Sequence, residues 1–146
     1  MMKFQQLQKN LINIFFSKNL KIDYLLEHNE SLPFFSDWKA IKAPGHTDCD
    51  MNLLCEEKKL IYVADNIIRT NRGYITPYPM FDPKNYYNNL KFYETLKGYS
   101  FLLAHGGKRN FENIDFIKLK KMVSVKSKTH LSFIKERVLN KLNLGK

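Results

Sequence analysis

Three apolar stretches of this chain each run into a loop that opens on an ionisable side chain. They are Ala43-Pro44-Gly45-His46-Thr47, Tyr62-Val63-Ala64-Asp65-Asn66 and Leu103-Ala104-His105-Gly106-Gly107. A strand end holds its side chains rigidly, and adjacent glycine lets backbone or ligand approach closely. Neutral imidazole and carboxylate are the usual ligands of zinc, iron and manganese. A lone histidine after a strand is more often structural or solvated. Repetition of the context is what singles out His46, Asp65 and His105. The pattern predicts a layered α/β domain with its chemistry at the strand ends, where ligands of such folds collect.

The rest of the chain fits that class. Residues 4–16 carry apolar side chains at 4, 7, 11, 12 and 15, the spacing of an amphipathic helix. Residues 21–26 read as a strand, followed by a turn at Glu27-His28-Asn29-Glu30. Residues 38–43 alternate as a strand and stop at Pro44-Gly45. The apolar runs 51–55 and 60–64, separated by Glu56-Glu57-Lys58-Lys59, form a hairpin. Residues 66–82 read as a long irregular loop. Asp82-Pro83 is an N-cap with proline at the first helical position, so a helix runs from 83 to about 97 and ends at Gly98. Residues 99–104 are a buried strand, and the pattern from Asn113 onward is helical.

Charge and composition narrow the classes. With 146 residues and 44% hydrophobic content, the chain can build one ordinary domain. Its longest apolar run is far short of the roughly 20 residues that span a bilayer. No secretory pattern opens the sequence, and Cys49 and Cys55 make no disulfide framework, so a cytoplasmic location is expected. Of the net charge of +10, residues 118–146 carry +8, with nine basic side chains and only Glu136 opposing them. Such a tail can bind polyanions, but lysine outnumbers arginine 20 to 4, which is a compositional bias. The favoured reading is a solvated helix docking Leu119, Met122, Leu131, Ile134, Val138 and Leu142 on the domain; nucleic acid and membrane are not expected partners. There is no phosphate loop, dinucleotide fingerprint or nucleophile elbow.

The three loops, in their order and strand context, resemble the metallo-β-lactamase fold superfamily over about residues 20–107. In that family a proline-glycine-histidine-threonine loop supplies one metal ligand. A strand ending in glycine-aspartate supplies a carboxylate that bridges two metals, and a strand ending in glycine-histidine-glycine supplies a further histidine. The resemblance implies that His46 is a ligand of the first metal, Asp65 the bridge and His105 a ligand of the second. It implies a divalent cofactor, zinc first, with iron or manganese as alternatives. Here Ala64 stands where the family has glycine. The family's histidine-x-histidine-x-aspartate-histidine motif is absent, since the four histidines stand at 28, 46, 105 and 130.

The implied architecture is the C-terminal half of a four-layered αββα sandwich over 1–117, with a basic helical tail over 118–146. The implied function is that of a metal-dependent hydrolase in truncated or split form, with little activity alone and no separate catalytic residue assigned. A complementary N-terminal half or self-association is the expected partner, and the substrate is a small molecule. The alternative is a non-catalytic binding or regulatory protein that uses the tail. Cys49 and Asp48 lie near the His46 loop, but a small packed side chain is the favoured reading of Cys49. His28 and His130 read as surface residues. Tyr74, Tyr78, Tyr86 and Tyr87 read as core before substrate cleft.

Overall fold

The computed structural model describes residues 23–123 together with Lys126, Ser127 and Ile134. The amphipathic segment 4–16 and almost all of the tail beyond Val123 lie outside the described residues.

The sheet is built from β1 (Ser31–Leu32), β2 (Phe35–Lys42), β3 (Met51–Cys55), β4 (Leu60–Tyr62), β7 (Ser100–Leu103) and β8 (Gly107–Asn110), in the order β1-β2-β3-β4-β7-β8. A separate two-stranded hairpin joins β5 (Ile68–Thr70) to β6 (Gly73–Ile75). All neighbours in the large sheet are antiparallel except β4 and β7, which run parallel with Ile61 opposite Phe101. Helix α1 (Pro83–Thr95) forms the crossover between these two strands, and α2 (Phe116–Lys121) follows β8.

Both faces of the central strands are apolar. One face carries the cross-strand row Leu54, Ile61 and Phe101, and the other the row Leu53, Tyr62 and Leu102. This is the composition of strands meant for cover on both sides. Helix α1 covers the first row with Tyr86, Leu90 and Tyr93, one stripe at helical spacing, all fully buried. Tyr93 meets Phe101 edge-on with ring centroids 5.9 Å apart. Ile114, Phe116 and Leu119 close the same core, and Lys120 Nζ spans both Glu94 oxygens at 2.8 and 2.9 Å to pin α2 on α1.

The start of α1 is as the sequence dictates: Asp82 Oδ1 accepts from Asn85 N at 3.0 Å, with Pro83 next in line. The helix stops two residues short of the expected end, and Gly98 takes the left-handed φ of +77°. Three expectations are corrected. Residues 23–26 form no strand, because backbone bonding to β2 starts only at Asn29 and Glu30. The 66–82 stretch is not a plain loop but contains β5 and β6, paired through Arg69 and Tyr74. The chain after Gly106 returns as β8 along β7 before turning helical. In the C-terminal segment Leu119 is buried, whereas Met122 and Ile134 are exposed.

Candidate metal centre

The parallel pairing of β4 with β7 sends Asp65 and His105 out of the same end of the sheet. Val63 N continues the ladder to Leu102 O at 3.0 Å, and Ala104 N reaches Ala64 O at 3.2 Å. Ala64 then takes φ +45°, a left-handed conformation rare for any residue with a Cβ. That kink starts the short 3-10 turn Ala64–Asn66, which carries Asp65 at its middle.

His105 Nε2 lies 3.3 Å from Asp65 Oδ1. The oxygen is shut off from solvent, yet no hydrogen bond reaches it, the histidine approach included. Both side chains are otherwise well exposed, at 67% for His105 and 45% for Asp65. An unsatisfied buried carboxylate oxygen is costly, and a cation or an ordered water satisfies it. Two ligands of one tetrahedral zinc, each about 2.0–2.1 Å from it, lie about 3.3–3.4 Å apart. Nε2 and Oδ1 therefore fit a shared divalent ion as they stand.

The His105 loop is held from outside by the β5–β6 hairpin. Arg69 N donates to His105 O at 3.0 Å, and the Arg69 stem packs on Gly106, where a Cβ would stand 2.4 Å from Arg69 Cβ. Gly106 is thus required twice, by that approach and by its φ of +131°.

His46 sits on the loop after β2. Its Nδ1 lies 2.8 Å from the carbonyl oxygen of Pro79, a contact in which the ring donates. Asp50 clamps the next residue, accepting from Thr47 N at 2.7 Å and from its hydroxyl. The entry to α1 fastens the loop: Asp82 N donates to Gly45 O at 2.9 Å, Phe81 N to His46 O at 3.1 Å and Asn89 Nδ2 to Pro44 O at 2.9 Å. Among the described residues no three His, Cys, Asp or Glu side chains gather into a metal-holding group. Asp65 and His105 form a pair, and His46 stands on the neighbouring loop.

Sequence reasoning placed Tyr86 in the core and missed its second task. Its hydroxyl donates to Asn66 O, directly after Asp65, while its backbone closes against Gly45, directly before His46. Below the site, buried Asn52 donates to Tyr93 Oη at 2.8 Å and accepts from Asn66 Nδ2 at 3.5 Å. Burial holds both tyrosine hydroxyls well above the usual phenol range. Of the other tyrosines, Tyr78 and Tyr87 are exposed and Tyr74 packs partly against the core beneath Arg69. Cys49 is exposed and free, and its sulfur lies 3.9 Å from the Thr47 hydroxyl.

No protein-family model and no curated protein matches the sequence. Solved structures do. An archaeal metallo-β-lactamase superfamily protein, ST1585 from Sulfolobus tokodaii, superposes with a TM-score of 0.55 at 20% identity, over 94% of this chain and 57% of that one. This chain has a partial metallo-β-lactamase fold. TTHA1623, crystallised in a di-iron-bound form, matches with a TM-score of 0.53 at 18% identity, over 75% of this chain and 56% of its own. The metallo-β-lactamase family protein TTHA1429 from Thermus thermophilus gives 0.53 at 16%, over 69% and 35%. The chain therefore spans about a third to just over half of the length of these metallo-β-lactamase-fold proteins. No helix among the described residues is long and apolar enough to cross a membrane.

Proposed function

We propose that this chain contributes one part of a metal-dependent hydrolase centre. Asp65 and His105 hold one divalent metal, zinc first and iron or manganese as alternatives, and His46 serves a second. The observation that carries this reading is the solvent-shielded Asp65 Oδ1, which no hydrogen bond reaches and which lies 3.3 Å from His105 Nε2. When bound, such a metal acidifies a coordinated water and polarises the carbonyl under attack. The chain's own residues do the positioning. Asp65 supplies the negative charge, the Pro79 carbonyl sets the His46 ring, and Arg69 N and Gly106 fix the His105 loop.

A stable zinc site takes three or four protein ligands, and a pair falls short. The missing ligands come from a complementary N-terminal half or from self-association, so the chain alone has little activity. Both cysteines being free among the described residues supports a reducing, cytoplasmic setting. Competition of the chain with a chromophoric chelator for Zn²⁺, Mn²⁺ and Fe²⁺ tests the reading. Weak binding that disappears in both Asp65→Ala and His105→Ala supports it. Equal binding by the wild type and both variants overturns it.

A further inference from the structure

Ile41, Leu54 and Tyr93 belong to the core between the sheet and α1, and an amide stands among them. Asn52 lies opposite Ile41 on β2 and two residues before Leu54 on β3, so it shares their face, and it is fully buried. Asparagine is depleted in strands, and a buried amide is costly unless it is bonded. Asn66 is its companion; no other amide or charged side chain is buried among the described residues. We infer, resting on the metal-centre reading above, that Asn52 is a positioning residue of that centre, which acts through Asn66 to fix the turn that carries Asp65.

The contacts converge on Asn66. Its Nδ2 donates to Asn52 Oδ1 at 3.5 Å, its carbonyl accepts from the Tyr86 hydroxyl and its N–H donates to Val63 O at 2.9 Å. The strand β3, the helix α1 and the chain leaving β4 thus each hold this one residue. Asn52 is itself aimed by its Nδ2, which donates to Tyr93 Oη at 2.8 Å. Asp65 stands between Asn66 and Ala64, whose φ of +45° sets the kink. With both neighbours fixed, Asp65 keeps only its side-chain torsions, and a metal ligand has to be held to within about 0.5 Å. Stability alone does not account for these amides. An aliphatic side chain would suit the face of Ile41 and Leu54, and Asn66 Oδ1 has no hydrogen-bond partner among the described residues. A network built only to stabilise would be fully satisfied. Asn52 also stands two residues after Asp50, the clamp of Thr47, so one short stretch of chain serves the His46 loop and the Asp65 turn.

Zn²⁺ is the probe, in competition with a chromophoric chelator on the full chain without denaturant. Asn52→Leu and Asn66→Ala cut the same bond from its two ends. Each should weaken zinc binding about tenfold, and the double variant no further than either alone. Leu119→Ala truncates the core on α2, away from this bond; its urea midpoint should fall while its zinc affinity stays that of the wild type. Asn66→Ala adds no bulk, so it carries the test if Asn52→Leu folds poorly. Hydrogen exchange of the metal-free chain reads the turn by itself. In Asn52→Leu or Asn66→Ala the amide of Ala104, which bonds Ala64 O, should exchange faster relative to that of Leu90 in α1, and in Leu119→Ala the ratio should hold. Zinc affinity unchanged in both single variants, or losses that add in the double variant, overturns the inference. Wild-type zinc binding that Asp65→Ala does not weaken overturns the metal-centre reading instead. The exchange ratio then decides the hold of Asn52 on the turn, and an unchanged ratio overturns that as well.

Discussion

The Tyr86 hydroxyl donates a hydrogen bond of 2.5 Å to the main-chain carbonyl of Asn66. One residue of α1 thereby grips the turn that carries Asp65, and the same residue packs its backbone on Gly45, beside His46. The two candidate ligand loops come from different strands, and a single helical turn sets their spacing.

Tyr86→Phe keeps the ring in the core and leaves the Asn66 carbonyl buried without its donor. The expected loss of stability is about 1–3 kcal/mol, read as a lower midpoint in urea with an unchanged slope. Chelator competition should show weaker metal uptake by Tyr86→Phe than by the wild type. An unchanged midpoint would show that this hydrogen bond fixes nothing.

Two substitutions of one methyl group should act in opposite directions. In Gly45→Ala the new Cβ would stand 2.8 Å from Tyr86 Cα and Cβ, so the loop and helix must separate. A cost of about 1–3 kcal/mol is expected for such overpacking. In Ala64→Gly the φ of +45° stops being strained. The left-handed penalty of about 1–2 kcal/mol outweighs the extra chain entropy of glycine, so stability should rise by about 0.5–1 kcal/mol. Thermal melts of the two variants beside the wild type decide both signs.

Alkaline pH should unfold the protein steeply. Burial, before any other cause, keeps the hydroxyls of Tyr86 and Tyr93 protonated in the fold above the ordinary value of 10.0. Below pH 10 both states hold these protons and stability is full. As pH rises past 10 the unfolded chain releases them and the native one does not, so stability falls by about 1.4 kcal/mol per pH unit for each tyrosine. Urea melts at successive pH values from 9 to 11 measure the slope. Tyr93→Phe should remove about half of the two-tyrosine contribution.

Hydrolysis gives the fourth test. With two clustered ligands for one ion, the purified chain should cleave ester, thioester and β-lactam substrates no faster than buffer holding the same metal. Turnover above that background, lost in Asp65→Ala, would show that the chain completes a working centre by itself.

Much of this arrangement was readable from residues with a local cause. Asp82 and Pro83 announce α1, Glu56 to Lys59 announce a hairpin, and Pro44-Gly45 stops β2, because caps and turns act on their immediate neighbours. Asp65 and His105 stand out in the sequence because each follows an apolar run, and the β4–β7 register brings the two side chains together. What escaped depends on distant partners. The strands β5 and β6 are three residues each, too short for alternation to show, and are held by pairing through Arg69 and Tyr74. Tyr86 looked like core because it is core; its grip on Asn66 is made to a main-chain carbonyl, which has no signature in the side-chain sequence. The buried amides Asn52 and Asn66 have no motif either, and only the tertiary fold pairs them with each other and with Tyr93.

The parallel register of β4 with β7 also sets a timetable for folding. Leu60 and Ser100 become neighbours only once the whole crossover between them is in place. Closing a loop of that length costs about 3 kcal/mol of chain entropy before any contact returns it. The β3–β4 hairpin needs no such closure and can form early. Asp65 and His105 consequently meet late on the path to the native state, and the candidate metal centre is the last part of the sheet to assemble.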